Sequence, residues 1–187
     1  MAERAFIVRH GETEWSARSQ HTSHTDLSLT EAGRKAATAL RSRLASESFE
    51  LVLCSPMRRA RETCELAGFS DVAELCRDLV EWDYGRYEGL TTPQIHEQDP
   101  DWNLWRDGCP DGESPEDVGA RVDRVHSRLA AVDGVALCFA HGHVLRVLTA
   151  RWLEMEVSAG ARFKLAAAGV GVLGYERATR VLDSWSV

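Results

Sequence analysis

Two histidine-containing segments, each directly after a short apolar run, carry the side chains best suited to chemistry in this sequence. RHG at residues 9–11 follows the run 5–8, and HGH at residues 141–143 follows the run 135–140. A neutral imidazole is a competent nucleophile, and arginines can hold the oxygens of a phosphoryl group during its transfer. The pattern therefore predicts an anion-binding site that contains a nucleophile.

Another pair of cations follows a third apolar run. Arg58 and Arg59 come after the run 51–54 and the dipeptide Ser55-Pro56, a pattern typical of a helix N-terminus with free N–H donors. A guanidinium group binds phosphate and carboxylate equally well, so charge alone leaves both anions open.

A carboxylic acid that could protonate a leaving alkoxide lies in the sequence EWDYG at residues 81–85. Glu81 and Asp83 stand beside large aromatic residues, and desolvation by such neighbours favours a protonated acid. Glu88 is a third candidate in the same stretch. We favour Glu81 and keep Asp83 and Glu88 as alternatives.

Strand and helix patterns alternate along the chain in a way that would bring these groups together. Apolar runs predict strands at 5–8, 51–54, 72–75, 135–140, 170–176 and 181–185. Helical periodicity and N-cap residues predict helices at 30–44, 55–66, 115–131 and 144–153, with Ser55 as one of the caps. This order predicts an α/β fold with three layers, α/β/α, around a mainly parallel sheet. Ligands of such sheets bind outside the carboxyl ends of the strands.

Residues 81–114 break the alternation, and we call them the acid segment. They are irregular and rich in aromatic residues, with one short helix predicted at 92–98. We interpret them as an insertion over the active site of a single domain that spans residues 1–187. Its aromatic residues could either form an apolar substrate wall or pack the insertion onto the sheet, and we expect most to pack: Trp82, Tyr84, Tyr87, Trp102, Trp105.

The amino-acid composition of the chain limits the kinds of molecule that it could bind. The 187 residues include 22 basic and 29 acidic side chains, a net charge of −7, which argues against nucleic acid and anionic membranes. The chain has no apolar run of membrane-spanning length and no secretory pattern at its start, so we expect a cytoplasmic protein with a small substrate. The five cysteines contain no C-x-x-C pair, which argues against a zinc site. A homodimer paired through the tail strands or exposed tryptophans stays open.

Five segments together resemble the histidine phosphatase superfamily, the phosphoglycerate-mutase-like proteins. They follow the order of the family and reach to about residue 153. The matching sequences are AFIVRHGETEWS at 5–16, HTDLSLTEAGRKAA at 24–37, SPMRRARETCELA at 55–67, EWDYGRYEG at 81–89 and FAHGHVLRVL at 139–148. The resemblance implies a phosphoglycerate-mutase-like fold, no metal and no cofactor.

The resemblance also implies roles for individual residues. His10 would be the nucleophile that becomes phosphorylated, and Arg9, Arg59 and His141 would hold the phosphoryl oxygens. Glu81 would be the proton donor that later helps to activate water.

The arginine of the family motif directly precedes an alanine, which is Ala60 here. This position selects Arg59 rather than Arg58, and we expect Arg58 to lie on the solvated face of its helix.

Further residues are candidates for binding the substrate. Ser16 stands where many mutase relatives have asparagine, and its hydroxyl could still donate to phosphate. The other candidates follow the first catalytic loop or flank the acid and the second histidine: Thr22, Ser23, Tyr84, Gly142, His143. The remaining histidines are expected at the surface: His21, His24, His96, His126.

Two stretches resemble phosphatases more than mutases. WDYGRYEGLTTPQI at 82–95 and GCPDGES at 108–114 are similar to a branch with bacterial acid phosphatases and sedoheptulose-bisphosphatase-like sugar phosphatases. The resemblance therefore implies a metal-independent phosphatase of small metabolites, with sugar phosphates favoured, that acts through phosphohistidine. A phosphoglycerate-type mutase is the alternative, followed by a non-catalytic phospho-ligand-binding module.

Overall fold

Alternate residues of the central strands face two different hydrophobic cores. In the computed structural model, which describes residues 2–185, Ala5 and Ile7 of the first strand lie in one core, and Phe6 and Val8 lie in the other. This alternation follows from the two-residue period of a strand and buries both faces of the sheet.

The sheet has six strands among the described residues, in the order β3-β2-β4-β1-β5-β6. The strands are β1 (Ala2–Arg9), β2 (Phe49–Cys54), β3 (Ala73–Leu75), β4 (Gly134–Ala140), β5 (Val170–Glu176) and β6 (Thr179–Trp185). β3, β2, β4 and β1 are parallel, whereas β5 and β6 add antiparallel pairs at one side.

Helices cover both faces of this sheet. They are α1 (Glu14–Ala17), α2 (Glu31–Leu44), α3 (Arg58–Ala67), α4 (Thr92–His96), α5 (Leu104–Asp107), α6 (Pro115–Ala131) and α7 (Gly142–Trp152). Short 3₁₀ helices lie at Arg77–Leu79, Gly85–Tyr87 and Val157–Arg162. Apolar residues of α6 and α7 fill one core, and those of α2 and α3 fill the other. The predicted three-layer arrangement around a mainly parallel sheet is confirmed.

Two local predictions need correction. Ser55 does not cap α3, because the helix begins at Arg58 after Met57 and the Ser55 hydroxyl lies 2.7 Å from Nε2 of His141. The acid segment also contains a second short helix, α5, whose N-terminus is capped by the Asn103 side chain. The local pattern at Ser55 missed a partner that is 86 residues away along the chain.

The aromatic residues of the acid segment mostly pack, as expected. Trp82, Tyr84, Tyr87 and Trp102 are buried, and the indole N–H of Trp82 donates to the Glu113 carbonyl oxygen at 2.9 Å. The tryptophans of the described chain are buried or half-buried. Within residues 2–185, no helix is both long and apolar enough to span a membrane.

Candidate active site

The carboxyl ends of neighbouring parallel strands bring two histidines together. His10 follows β1 and His141 follows β4, and the two ring centroids are 5.2 Å apart. The backbone N–H of His10 donates to the Ala140 carbonyl oxygen at 2.9 Å, which continues the β1–β4 pairing into the site. The sheet itself therefore fixes the separation of the two imidazoles.

The turn after His10 is held by close backbone packing. The Gly11 N–H donates to the Thr63 hydroxyl of α3 at 2.9 Å. Gly33, in the first turn of α2, lies so close that a Cβ atom there would come within 2.2 Å of the Glu12 carbonyl oxygen. Only glycine fits at that position, which explains the glycine in the segment 24–37.

The protonation of His10 suits a nucleophile. Its Nδ1 lies 2.7 Å from the Gly11 carbonyl oxygen, and because a carbonyl only accepts, Nδ1 carries the proton. The lone pair is then on Nε2, which is left for the cavity that His10 lines. Burial, followed by the charges of Arg9 and Arg59, lowers the pKa of His10 well below its ordinary value, so the ring is neutral at neutral pH.

Arg9 presents unused hydrogen-bond donors beside this nucleophile. One Nη1 hydrogen is donated to the Leu165 carbonyl oxygen at 2.7 Å, but the buried Nε has no partner among the described residues. The guanidinium group runs past Gly142, where a Cβ atom would approach Nε to 3.3 Å. A buried donor without a partner is costly, and an anionic oxygen in the cavity would satisfy it.

Arg59 lies underneath the cavity and is fully buried. Its Nε donates to Nδ1 of His141 at 3.1 Å, and its Nη groups donate to the carbonyl oxygens of Thr22, Ser23 and Thr25, each at 3.1 Å. Only one of its N–H groups then remains for a ligand. Arg59 thus holds both the second histidine and the loop beside it.

The side chain of Arg58, the neighbouring residue on α3, points away from the site toward solvent. Its side chain is 58% exposed and its Nε donates to Glu62 at 2.7 Å. Adjacent helix positions point about 100° apart, so only one of two neighbouring arginines can face the sheet edge. The structure places Arg59 at the site and Arg58 at the surface.

His141 is neutral and is tied between two partners. Arg59 can only donate, so Nδ1 of His141 accepts, and Nε2 carries the proton toward the Ser55 hydroxyl 2.7 Å away. Burial, then the charges around it, lowers the pKa of His141 well below its ordinary value. Together, Arg9, His10, Arg59 and His141 form what we call the floor of the site.

Glu81 is positioned by the N-terminus of α7. Its Oε2 accepts from the His143 N–H at 3.0 Å, and its Oε1 accepts from the N–H groups of Val144 at 2.9 Å and Trp82 at 3.0 Å. These N–H groups fix the orientation of the carboxyl group at the start of α7. Oε2 has the spare acceptor position, and the residue lines the same cavity as His10.

The two alternative acids are occupied elsewhere. Asp83 accepts from the Gly85 N–H at 2.9 Å and pairs with His24 at 3.1 Å. Glu88 accepts from the N–H and hydroxyl of Ser23 and from the Thr25 N–H, at 2.7–3.0 Å. Neither acid lines the cavity, which leaves Glu81 as the carboxyl group beside the nucleophile.

The cavity has a volume of about 400 Å³. Among the predicted site residues, those that line it are Arg9, His10, Ser16, Thr22, Glu81, Tyr84, Gly142 and His143. Arg59 and His141 are buried beneath it. Ser23 does not line the cavity, because its hydroxyl donates to Glu88 at 2.7 Å, so the expected donation to substrate is not supported by this geometry.

Tyr84 and His143 form one unit in the cavity wall. The Tyr84 hydroxyl lies 2.5 Å from Nδ1 of His143. Burial raises the pKa of Tyr84 well above its ordinary value and lowers that of His143 well below its own, so a neutral phenol and a neutral ring share this hydrogen bond.

Of the cavity residues that were not predicted from the sequence, three have ionisable side chains. His21 is half-buried rather than at the surface, since its ring packs 4.7 Å from that of Tyr84 and its Nδ1 lies 2.8 Å from the Leu90 carbonyl oxygen. Arg146 lies one helical turn after Gly142 on α7, a spacing that could have revealed it. Nothing in the sequence around Lys164 indicates its place in the lining.

Arg146 and Lys164 add positive charge to one side of the cavity. Arg146 stacks 4.6 Å from the ring centroid of Trp105 and donates to the carbonyl oxygens of Gly160 and Ala161, each at 2.8 Å. Its partners are therefore neutral groups. In residues 2–185, no cluster of three or more histidine, cysteine or acidic side chains is arranged to hold a metal ion.

Comparisons with known proteins show the family to which this chain is similar. The model of the histidine phosphatase superfamily (branch 1) matches residues 5–187. An acid phosphatase of Mycobacterium tuberculosis is 42% identical over 183 residues, which cover 96% of this chain and 90% of the relative. A sedoheptulose 1,7-bisphosphatase of Saccharomyces cerevisiae is 35% identical over 189 residues, covering 84% of this chain and 70% of the relative.

A comparison with solved structures shows the same fold. The structure of an open-reading-frame product of Mycobacterium tuberculosis superposes with a TM-score of 0.94 at 39% identity, covering 99% of this chain and 97% of that chain. The predictions of the superfamily, of its fold and of a phosphatase are confirmed by these comparisons.

Proposed function

We propose that this chain, which belongs to the histidine phosphatase superfamily, hydrolyses phosphomonoesters of small sugar-like metabolites through a phosphohistidine on His10. The observation that carries the proposal is the pairing of a neutral, Nε2-nucleophilic His10 with Glu81 in one cavity. The two groups supply the nucleophile and the proton that the departure of an alkoxide requires.

In the first step, the Nε2 lone pair of His10 forms a bond to phosphorus while the ester P–O bond breaks. Glu81 gives its proton from Oε2 to the leaving oxygen, which departs as an alcohol. Arg9 donates to the non-bridging oxygens, and its buried Nε then gains the partner it lacks among the described residues.

In the second step, water attacks the phosphoryl group and the N–P bond breaks. The Glu81 carboxylate accepts a proton from that water, and His10 returns to its neutral form as phosphate leaves. Arg59 and His141 keep the residues of the floor in place through both steps, because the hydrogen bond between them joins α3 to the carboxyl end of β4.

We also propose that preferred substrates carry a second anionic group. Three lining side chains are cationic, Arg9, Arg146 and Lys164, whereas Glu81 is the acidic one. Arg9 serves the transferred phosphoryl group, so the other two are suited to a second phosphate or a carboxylate. The similarity to a protein named sedoheptulose 1,7-bisphosphatase supports a sugar bisphosphate.

A cytoplasmic location is part of the same proposal. The five cysteines are free and buried, which is the usual state of thiols in a reducing compartment.

The experiment is a phosphate-release screen of phosphorylated sugars, glycerates and nucleotides with the native enzyme and His10→Ala. Rapid quench with labelled substrate should trap an acid-labile, base-stable phosphoenzyme that is absent in His10→Ala. Loss of the nucleophile should lower kcat by about 10⁴- to 10⁶-fold. Label on serine or cysteine would overturn the mechanism. Isomerised product in place of free phosphate would identify a mutase.

A further inference from the structure

Arg121 of α6 uses all of its side-chain donors inside the protein. The residue is 7% exposed and does not line the active-site cavity. Its N–H groups are donated to the carbonyl oxygens of Asp78, Val80 and Glu81, at 2.7–3.1 Å, and to both carboxylate oxygens of Glu113, at 2.6 and 2.8 Å. These five bonds equal the full donor capacity of a guanidinium group.

The carbonyl acceptors lie in the stretch that delivers the acid. Residues 78–81 wrap around the guanidinium group, and the last of these carbonyls belongs to Glu81 itself. This stretch has only a single 3₁₀ turn, at Arg77–Leu79, so the regular backbone hydrogen bonds of a helix or strand do not fix its course. The hydrogen bonds from the Arg121 guanidinium group fix it instead.

Glu113 fixes the other side of the same backbone. Its Oε2 accepts from the Asp83 N–H at 2.9 Å, and its carbonyl oxygen accepts from the indole N–H of Trp82 at 2.9 Å. Its own N–H donates to the Asp83 carbonyl oxygen at 3.0 Å. Arg121 and Glu113 therefore hold the chain on both sides of the Glu81–Trp82 peptide.

We propose that Arg121, oriented by Glu113, is a positioning residue for proton transfer by Glu81. The inference rests on the proposed function, in which Glu81 donates the proton to the leaving oxygen. The carboxyl group is held by N–H groups of Trp82, His143 and Val144, while its backbone is held by Arg121. A shift of about 1 Å in a catalytic group is enough to cost about 10²-fold in rate.

A positioning role predicts a different phenotype from a binding role. Arg121 has no free donor for substrate and lies outside the cavity, so its loss should lower kcat and leave KM nearly unchanged. The loss should also depend on the leaving group, because an alkoxide needs the proton and p-nitrophenolate hardly does.

The test compares Arg121→Lys with Arg128→Lys, which changes an exposed arginine of the same helix that pairs with Glu74. Lysine keeps the charge, but one ammonium group cannot reach acceptors on both sides of the fork. We expect Arg121→Lys to lower kcat for an alkyl phosphate by about 10- to 10²-fold and for p-nitrophenyl phosphate by less than about threefold. Arg128→Lys should behave as the native enzyme on both.

A double variant separates positioning from general loosening. If Arg121 acts through Glu81, then Arg121→Lys combined with Glu81→Gln should be no slower on the alkyl phosphate than Glu81→Gln alone. Equal losses on the two substrates, an unchanged leaving-group ratio, or multiplicative losses in the double variant would each overturn the proposal. Where Arg121→Lys does not fold, as judged by thermal unfolding, Glu113→Gln is measured by the same criteria.

Failure of the positioning role is distinct from failure of the proposed function. The proposed function fails if His10→Ala keeps its activity or no phosphohistidine forms. The positioning role fails on its own when the native enzyme and His10→Ala behave as expected but Arg121→Lys retains the native leaving-group ratio.

Discussion

The floor of the site and the acid segment are built in different ways. His10 and His141 follow paired strands of the sheet, and backbone bonds such as His10 N–H to Ala140 carbonyl continue that pairing into the site. The acid segment has only short helical pieces at Gly85–Tyr87, Thr92–His96 and Leu104–Asp107. Its course is held by side-chain bonds to backbone groups together with isolated backbone bonds, such as that from the Glu113 N–H to the Asp83 carbonyl oxygen.

This difference separates what each region contributes to catalysis. The floor takes its geometry from the sheet, so it should serve every phosphate ester equally. The acid segment is held in part by an ion pair between the buried Arg121 and the half-buried Glu113, and in the proposed mechanism it serves the step that depends on the leaving group. Variants in the two regions should therefore be distinguishable by their substrate dependence.

The largest effect after loss of His10 is expected in the floor. Arg59→Lys should lower kcat/KM by about 10²- to 10³-fold on alkyl and aryl phosphates alike, because lysine keeps the positive charge but loses the guanidinium geometry that holds His141 and the neighbouring loop in place for both substrates. Lysine also cannot serve His141 and three loop carbonyls at once. Steady-state kinetics on both substrates measure this loss in kcat/KM.

Arg58→Lys is the matched control for that experiment. The side chain is 58% exposed, and exposed ion pairs contribute at most about 1 kcal/mol to stability. Its kinetics should match the native enzyme. Equal losses in the two variants, or a loss in Arg59→Lys confined to alkyl phosphates, would remove the distinction between the floor and the acid segment.

The next effect is expected in the acid segment. Glu81→Gln should lower kcat for alkyl phosphates by about 10²-fold or more and affect p-nitrophenyl phosphate much less, since general acid catalysis matters most for poor leaving groups. Asp83→Asn is the matched control, because that carboxylate faces His24 and the Gly85 N–H. A selective loss in Asp83→Asn would move the acid role to Asp83.

The same contrast explains how much the sequence could predict. Residues of the floor follow apolar runs, and a strand end is a position that a local pattern can locate; His10, His141 and the pair Arg58-Arg59 were placed in this way. The choice of Arg59 over Arg58 came from the family motif, and the helix geometry agrees with it.

Long-range hydrogen bonds account for what the sequence did not indicate. Ser55 was expected as a helix cap, but its partner His141 lies 86 residues further along the chain. Ser23 was expected to face substrate, and Glu88, 65 residues away, accepts its hydroxyl. His21 was expected at the surface and packs on Tyr84 instead. No local pattern contains these pairings, because the fold brings the partners together.

A smaller effect is expected at the side of the cavity lined by Arg146 and Lys164, the proposed site of a second anionic group. Arg146→Gln should raise KM for a sugar bisphosphate by about tenfold, as expected for the loss of one charge-assisted hydrogen bond. KM for p-nitrophenyl phosphate, which has no second anion, should not change. Arg151→Gln on the same helix is the control, because Arg151 pairs with Asp123 at 2.8 Å outside the cavity. Equal increases on both substrates would assign Arg146 to the transferred phosphoryl group.

The smallest effect concerns stability and tests whether the nucleophile is neutral. Burial, Arg9 and Arg59 lower the pKa of His10 in the folded protein well below its ordinary value of 6.5. Between these two pKa values the unfolded chain binds one more proton than the folded one, so the free energy of unfolding should fall as pH drops below 6.5. The slope is at most about 1.4 kcal/mol per pH unit for one such histidine.

Urea unfolding between pH 7 and pH 5, for the native protein and His10→Asn, isolates that contribution. The native curve also contains His141 and His143, whose pKa values are lowered by burial in the same direction, so a slope remains in the variant. We expect the free energy of unfolding of His10→Asn to change with pH less steeply than that of the native protein, by up to about 1.4 kcal/mol per pH unit. Parallel curves would mean that His10 titrates near its ordinary pKa in the folded floor. In that case Arg9 and Arg59 would not keep the nucleophile neutral, and the acidic limb of kcat/KM would lie near pH 6.5 instead of well below it.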